Sequence, residues 1–172
     1  MLNKSLLTPA TSEIITQEFV NFCCEVYKMD HDGFHGYKHW MRVLHNGRLL
    51  AKAEGASMKV VELFCLLHDT QRKNENVDPE HGHRAAEFAC TQKGIWFDVN
   101  NYEMQLLYEA LSYHSDGYTE GDITVQVCWD ADRLDLGRVG IKPSPSRLCT
   151  VTSKSPAVLD AAYQRSVNFI PY

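Results

Sequence analysis

Apolar residues recur every three or four positions along most of the chain, which predicts amphipathic helices. Period-two alternation is nearly absent, and only Val99 and residues 149–152 suggest strand. Capping residues or glycines flank most of the apolar stripes. The predicted caps are Thr11 or Ser12, Asp78 before Pro79, Asn100 with Glu103, and Asp122. The sequence therefore predicts an all-α helical bundle that forms a single domain over residues 1–172. The helices are expected at about residues 11–28, 37–54, 57–68, 78–92, 100–114 and 155–165, with a further helix that begins at about Asp122 and includes Asp132.

The two ends of the chain differ from this helical pattern. Residues 1–10 are expected to form a loose lead-in. Glycine, proline and serine are concentrated in residues 137–156, which predicts a long C-terminal arm over 137–172. Three basic side chains of this arm are candidates for the positive edge of a lid over a site: Arg138, Lys142 and Arg147.

The composition is that of an ordinary globular protein, with 44% hydrophobic and 23% charged residues. A net charge of -5 argues against a surface that coats duplex nucleic acid. The sequence shows neither a membrane-spanning run nor a signal peptide, and its six scattered cysteines form no C-x-x-C pair. We therefore expect a cytoplasmic protein without a membrane or duplex nucleic-acid partner, and the oligomeric state stays open.

An apolar run from Val60 to Leu67 ends abruptly in the polar pair His68-Asp69. Buried helices rarely end in this way, because an imidazole and a carboxylate removed from water must be paired. Neutral imidazole together with carboxylate is a donor set that divalent transition metals favour. His68 and Asp69 are therefore candidate metal ligands.

Four more chemically active side chains lie on apolar stripes or near helix ends: His39, His81, His114 and Asp132. Taken singly, each histidine is more simply explained as a hydrogen-bonded core residue, and Asp132 by an ion pair with Arg133 or Arg84. Together they favour a metal site, since helical bundles often build such sites from facing helices. Two imidazoles and two carboxylates would leave about two positions of a six-coordinate ion open for water and a phosphate ester. That set is His39, His68, Asp69 and Asp132.

The order and type of these residues resemble a known family. The pattern H…HD…H…H…D includes His39-Trp-Met-Arg-Val43, Leu67-His-Asp69 and Asp130-Ala-Asp-Arg-Leu134. It resembles the HD-domain superfamily of metal-dependent phosphohydrolases over residues 35–138. The resemblance implies a helical HD-type fold and one or two divalent metal ions, among which Fe, Mn, Mg, Zn, Co and Ni are not distinguished.

The same resemblance implies roles for individual residues. His39 fits the first motif better than His35 does, and Asp132 fits the last motif better than Asp130 does. His81 and His114 fall where two-metal members place the ligands of a second ion, with Asp69 bridging the two. In a one-metal enzyme the same two histidines would instead contact substrate or water, or line the pocket.

Candidates for substrate contact follow from the charge of a phosphate ester. Arg72, just past the metal pair, is the best candidate for a catalytic phosphate clamp beside Asp69, because guanidinium binds phosphate through two hydrogen bonds. His35 is close enough to the first ligand to touch substrate. Weaker candidates are Arg133, Lys73 and Arg84, with Glu75 as a possible acid or base.

Two specialised subfamilies fit poorly. Cyclic-dinucleotide phosphodiesterases follow their His-Asp pair with a Gly-Lys element, whereas this chain has Thr70-Gln-Arg-Lys. Alarmone hydrolases carry a Glu-Asp pair where this chain has Arg72-Lys-Asn-Glu75. We therefore expect a phosphomonoesterase or phosphodiesterase that acts on nucleotides or another small phosphorylated metabolite. Two alternatives stay open, namely a metal- or ligand-binding regulatory domain without turnover and a di-iron oxygenase on the same scaffold.

Overall fold

The computed structural model describes residues 11–168 and residue 170, so the expected lead-in 1–10 lies outside the described residues. Every regular element in the described part is helical, which confirms the all-α prediction. Neither Val99 nor residues 149–152 belong to a strand. The α-helices are α1 (Gln17–Val26), α2 (Tyr37–Glu54), α3 (Met58–Leu67), α4 (His81–Gln92), α5 (Asn101–Tyr113), α6 (Ile123–Arg133) and α7 (Pro156–Val167).

Helix α3 occupies the centre of the bundle because it has almost no polar face to present to water. Every residue from Val60 to Leu67 is buried, and α1, α2, α5 and α6 all pack against this helix. Each large apolar side chain buried in this way stabilises the fold by about 1.5–3 kcal/mol. The central position of α3 also means that the residues following it, His68 and Asp69, emerge inside the molecule.

Two helix starts agree with their predicted caps. Asn100 accepts a hydrogen bond from the backbone N–H of Glu103, and the Glu103 carboxylate accepts one from the N–H of Asn100. Asp122 accepts a hydrogen bond from the N–H of Thr124 at the start of α6. Both caps satisfy N–H groups that have no partner within the helix.

Two other helix starts were predicted wrongly, by two to five residues. Helix α1 begins at Gln17 with Thr16 as its cap, while Ser12 donates a hydrogen bond to the buried carboxylate of Glu62. Helix α4 begins at His81 rather than after Asp78. The Asp78 carboxylate does not cap the helix, because it accepts hydrogen bonds from the N–H of Lys73 and from the Arg84 guanidinium.

The predicted C-terminal arm is ordered over its described part. Short 3-10 turns cover Leu136–Val139 and Pro145–Arg147, and α7 packs against the first turn and against α2. The fully buried carboxylate of Asp130, on α6, accepts hydrogen bonds from Cys149, Thr150 and Ser153. This network fixes the arm to the helix that carries Asp132.

Two glycines allow close contact between the helices that carry the candidate ligands. A side chain at Gly47 of α2 would meet Val61 and Cys65 of α3 at under 3 Å. A side chain at Gly82 of α4 would lie 2.5 Å from the carbonyl oxygen of Leu111 on α5. The seams α2–α3 and α4–α5 are therefore closer than any larger residue at these positions would permit.

The described helices include none that is both long enough and apolar enough to cross a bilayer. All six cysteines are free thiols, and four of them are buried in the bundle. Burial raises the pKa of the Cys24 thiol to about 12, so this side chain behaves as a small apolar residue.

Candidate metal centre

The structure brings all six predicted donors into one region of the bundle interior. His39 lies in the first turn of α2, and His68 and Asp69 directly follow α3. His81 opens α4, and His114 directly follows α5. Asp132 lies near the end of α6, and it is half-buried whereas the other five donors are buried.

The first group of donors surrounds Nε2 of His39. This nitrogen lies 3.0 Å from Nε2 of His68. It also lies 3.4 Å from Oδ2 of Asp69 and 3.3 Å from Oδ1 of Asp132. Ligand atoms that share one ion at about 2.0–2.2 Å stand about 3.0–3.5 Å apart, so this spacing fits a metal ion.

The second group uses the other oxygen of the same aspartate. Nε2 of His81 lies 2.8 Å from Nε2 of His114 and 3.4 Å from Oδ1 of Asp69. The distance from His114 Nε2 to the same oxygen is 3.9 Å. Asp69 thus contacts the first group through Oδ2 and the second through Oδ1.

Hydrogen bonds on the far side of each imidazole fix which nitrogen faces inward. Nδ1 of His68 donates to the carbonyl of Cys65, and Nδ1 of His114 donates to that of Leu111. His81 donates in the same way to Asp78. Carbonyl oxygens only accept hydrogen bonds, so in the neutral rings Nε2 is unprotonated and presents a lone pair to the centre.

Two such lone pairs at 2.8–3.0 Å repel each other unless a cation lies between them. Oδ1 of Asp132 also requires a nearby cation, because it is buried without a hydrogen-bond partner among the described residues. Imidazole nitrogens and carboxylate oxygens are the donor set of Zn, Fe, Mn, Co and Ni. The donors of both groups therefore fit divalent transition-metal ions.

The protonation equilibria differ between the two groups. Burial lowers the pKa of His114 to about 3 and also lowers that of His81, so neither ring takes up a proton near neutral pH. Burial likewise disfavours a proton on His39, but hydrogen bonds to the surrounding carboxylates outweigh it and raise this pKa to about 9. In the metal-free protein a proton on His39 therefore supplies the cation that the first group needs.

Both ligand carboxylates remain ionised in spite of their burial. Desolvation raises the pKa of Asp69, but the imidazoles of His68 and His39 hold it well below its usual range. The pKa of Asp132 is raised by desolvation too and is likewise held low, by His39 and Arg138.

A pocket of about 360 Å³ opens onto the two groups. Of the predicted substrate-contacting residues, the structure places Arg72, Arg133 and His35 on its lining. Two basic residues predicted for a lid edge, Arg138 and Arg147, line it as well. Lys142 does not, since it pairs with Asp160 on the surface.

Arg72 lies against the second group. Its Nη1 is 3.2 Å from Nε2 of His81 and 3.6 Å from Oδ1 of Asp69. Nη2 donates to the backbone carbonyl of Asn76 at 2.7 Å. The guanidinium is thus a cation already placed beside the second pair of imidazoles. Two weaker candidates, Lys73 and Arg84, do not line the pocket, and Arg84 pairs with Asp78.

His35 contacts a carboxylate that sequence reasoning had left without a firm role. Its Nδ1 lies 2.7 Å from Oε2 of Glu75. Burial lowers the pKa of His35, and the Asp69 charge opposes this shift. Glu75 does not line the pocket, so it orients His35 rather than facing a substrate itself.

Sequence reasoning missed Asp135. This buried carboxylate accepts a hydrogen bond from Nδ1 of His39 at 2.7 Å and one from Nε of Arg42 at 2.7 Å. It therefore turns Nε2 of His39 towards the first group. Two three-residue spacings in the sequence could have pointed to Asp135, namely His39–Arg42 and Asp132–Asp135. Residues three apart in a helical segment lie on the same face.

Comparison with known proteins supports an HD-type fold and a hydrolase assignment for this chain. No protein-family model matches the sequence, and no curated protein matches it either. A predicted HD superfamily hydrolase from an uncultured Thermotogales bacterium is 26% identical, with a TM-score of 0.69 over 98% of this chain and 95% of that one. A protein from Lactobacillus plantarum is 20% identical, with a TM-score of 0.59 over 98% of this chain and 95% of that one. At this identity the similarity is evidence for the fold only.

The all-helical bundle, the ordered donors and the similarity to the Thermotogales protein support an assignment to the HD-domain superfamily. The predicted resemblance is thereby confirmed at the level of the superfamily. With two groups of donors that can hold a metal, the chain is a candidate metal-dependent hydrolase.

Proposed function

We propose that this protein hydrolyses phosphate esters of a small metabolite at a centre of two divalent metal ions. The observation that carries the proposal is a pair of donor groups that share Asp69 beneath an arginine-lined pocket. A divalent ion bound at such donors lowers the pKa of a coordinated water towards neutrality and polarises a phosphoryl oxygen.

The side chains divide the work of holding the ions. His39, His68, Asp69 and Asp132 would hold the first ion, and Asp69, His81 and His114 would hold the second. Asp69 would belong to both sets, because its Oδ2 contacts the first group and its Oδ1 contacts the second. The hydrogen bonds that Nδ1 of each ring donates keep Nε2 directed at its donor group.

Arg72 is proposed to bind the phosphoryl group that is cleaved. In the described structure its Nη1 lies 3.2 Å from Nε2 of His81, so the guanidinium would have to move for His81 to ligate an ion. Its long, flexible stem allows a small movement towards the pocket, where its N–H groups can pair with phosphoryl oxygens. His35, held by Glu75, is proposed to contact the oxygen that leaves.

Hydrolysis assays test the proposal. The full-length protein, reconstituted separately with Mn, Fe, Co, Ni, Zn and Mg, is assayed against nucleotides, sugar phosphates, other phosphomonoesters and phosphodiesters. Metal-dependent release of phosphate or of a phosphomonoester is expected for at least one class. The Asp69→Asn variant should lose this activity, while Asp98→Asn, which alters an exposed carboxylate, should keep it.

Two results would contradict the proposal. Equal activity in the wild type and in Asp69→Asn would locate the chemistry elsewhere or in a contaminant. A metal-loaded protein that hydrolyses no ester in the panel would favour a binding domain without turnover. Oxygen uptake by the iron-loaded protein would instead indicate an oxygenase.

A further inference from the structure

The lining of the pocket has a local excess of positive charge. Four guanidinium groups line it against two carboxylates, a net charge of two positive before any metal binds. This local excess contrasts with the net charge of -5 on the whole chain. The four arginines are Arg72, Arg133, Arg138 and Arg147.

Two of these arginines are already engaged around the metal groups. Arg72 contacts the second group, as described above. Arg138 donates to the carbonyl oxygens of Phe34 and Asp135, and its Nη2 lies 3.8 Å from Asp132. The charge of Arg138 is therefore directed at a ligand carboxylate rather than at an incoming anion.

Arg133 is held rigidly and yet incompletely paired. It is only 8% exposed, and its guanidinium lies over the Trp129 ring at 5.7 Å. Nη1 donates to the carbonyl of Arg147 at 3.1 Å, whereas Nη2 is buried without a hydrogen-bond partner among the described residues. A buried guanidinium N–H without an acceptor is costly. Because Arg133 lines the pocket, an anion bound there is the candidate acceptor.

Arg147, on the C-terminal arm, contributes a second guanidinium group to the same pocket. The guanidinium of this exposed residue lines the pocket and forms no hydrogen bond or ion pair within the described residues. Its backbone is fixed by the hydrogen bond from Arg133, and the neighbouring residues 149 and 150 are fixed by Asp130. The arm thus presents a free cation beside a buried, partly unpaired one.

From these contacts we infer that Arg133 and Arg147 form a second anion subsite, so that the substrate carries a second anionic group apart from the phosphoryl group that is cleaved. That group is a carboxylate or a second phosphate, since a guanidinium fork pairs with either. The inference rests on the proposed function for the position of the cleaved group. It narrows the substrate to small phosphorylated compounds with two separate anionic groups.

Binding of phosphonates tests the subsite without requiring turnover, because their C–P bond survives phosphate-ester hydrolases. Calorimetry on the metal-reconstituted full chain compares ω-carboxyalkylphosphonates, with one to three methylene groups, with alkylphosphonates of equal length. Bisphosphonates of the same spacing form a second arm that distinguishes phosphate from carboxylate. At one spacing or more, the second anion should tighten binding by roughly tenfold, the effect of one charge-assisted contact.

Substitutions test whether Arg133 and Arg147 cause the tighter binding of the doubly anionic phosphonates. Arg147→Gln should reduce that advantage to about threefold or less, and Arg133→Lys should reduce it as well by removing the planar fork. Lys142→Gln is the matched control, because Lys142 is an exposed cation of the same arm that pairs with Asp160 outside the pocket. It should leave the advantage unchanged.

The inference is overturned if no spacing favours the second anion, if no phosphonate binds, or if Arg147→Gln keeps the full advantage. The proposed function is tested separately, by the hydrolysis assays described above. A protein that prefers the doubly anionic phosphonates but hydrolyses no ester would retain the subsite and lose the enzymatic assignment.

Discussion

At the scale of single residues, the centre depends on which atom of each side chain is left free. Each donor interrupts an otherwise apolar stripe, so its residue type and spacing were readable from the sequence. The carboxylate behind His39 was not, because Asp130, Asp132 and Asp135 lie within six positions of one another. Only the packed structure shows that Asp130 holds the arm, Asp132 faces the first group and Asp135 orients His39.

Asp135 is expected to act as a positioning residue. Asp135→Asn weakens the acceptor for Nδ1 of His39 and should lower affinity for the first ion by about 10–100-fold, the usual effect of such partners. Competition with a fluorescent chelator measures this affinity directly. Asp160→Asn, which changes an exposed carboxylate, should have no effect. An unchanged affinity in Asp135→Asn would show that His39 needs no such support.

The pKa of His39 predicts how metal affinity depends on pH. From reference values alone, affinity would fall below about pH 6.5. Because the surrounding carboxylates raise this pKa to about 9, the ion competes with a bound proton throughout the neutral range. Apparent affinity for the first ion should therefore rise with pH, by about tenfold per unit, and level off near pH 9. Chelator competition between pH 6 and 10 gives the slope, and a flat profile between pH 7 and 9 would contradict it.

At the scale of helices, the donors meet because the helices that carry them pack unusually closely. The sequence predicted five of the seven helices with useful bounds, since their apolar periodicity is strong, and it misplaced the starts of α1 and α4. It misplaced the start of α4 because the Asp78-Pro79 pair has the form of a helix start, whereas the Asp78 carboxylate is bound by Lys73 and Arg84. Such competition between a local cap and a tertiary contact is not visible in sequence spacing.

Gly82 gives a prediction at this scale. In Gly82→Ala the added carbon would lie 2.5 Å from the Leu111 carbonyl and 2.9 Å from that of Ser112, so α4 and α5 must separate. His81 and His114 then move apart, and the second ion should be lost while the first is kept. Overpacking costs about 1–3 kcal/mol, partly offset by the roughly 1 kcal/mol that alanine gains over glycine in a helix.

Measurements of metal content and thermal unfolding in Gly82→Ala test whether α4 and α5 separate. Gly47→Ala is the matched control, because its added carbon meets side chains of α3 and should perturb the first ion's seam instead. If Gly82→Ala binds two ions as tightly as the wild type, the α4–α5 seam does not set the geometry of the second pair.

At the scale of the whole molecule, the ions are expected to link the helices of the bundle. The donors come from α2, α4 and α6 and from the residues that follow α3 and α5, so the unfolded chain has no equivalent site. Composition predicted a globular domain and foresaw an arm, but not that Asp130 anchors this arm or that Arg147 reaches the pocket. Those contacts span more than a dozen residues and have no periodic signal.

Removal of the ions should therefore lower stability. A ligand at a hundred times its dissociation constant adds about 2.7 kcal/mol to the free energy of unfolding. For a domain of this size that corresponds to roughly 5–11 °C in Tm. Thermal unfolding with and without a chelator measures the shift. Equal Tm values for chelated and metal-reconstituted protein would mean that no ion is bound specifically to the native state.

The central claim is a two-ion centre bridged by Asp69, and elemental analysis of the purified, reconstituted protein tests it most directly. The wild type is expected to hold about two equivalents of a divalent transition metal per chain, one for each donor group. Asp69→Asn removes the bridging charge and should lose both ions, whereas Asp98→Asn should keep them. About one equivalent or less in the reconstituted wild type would contradict a two-ion centre.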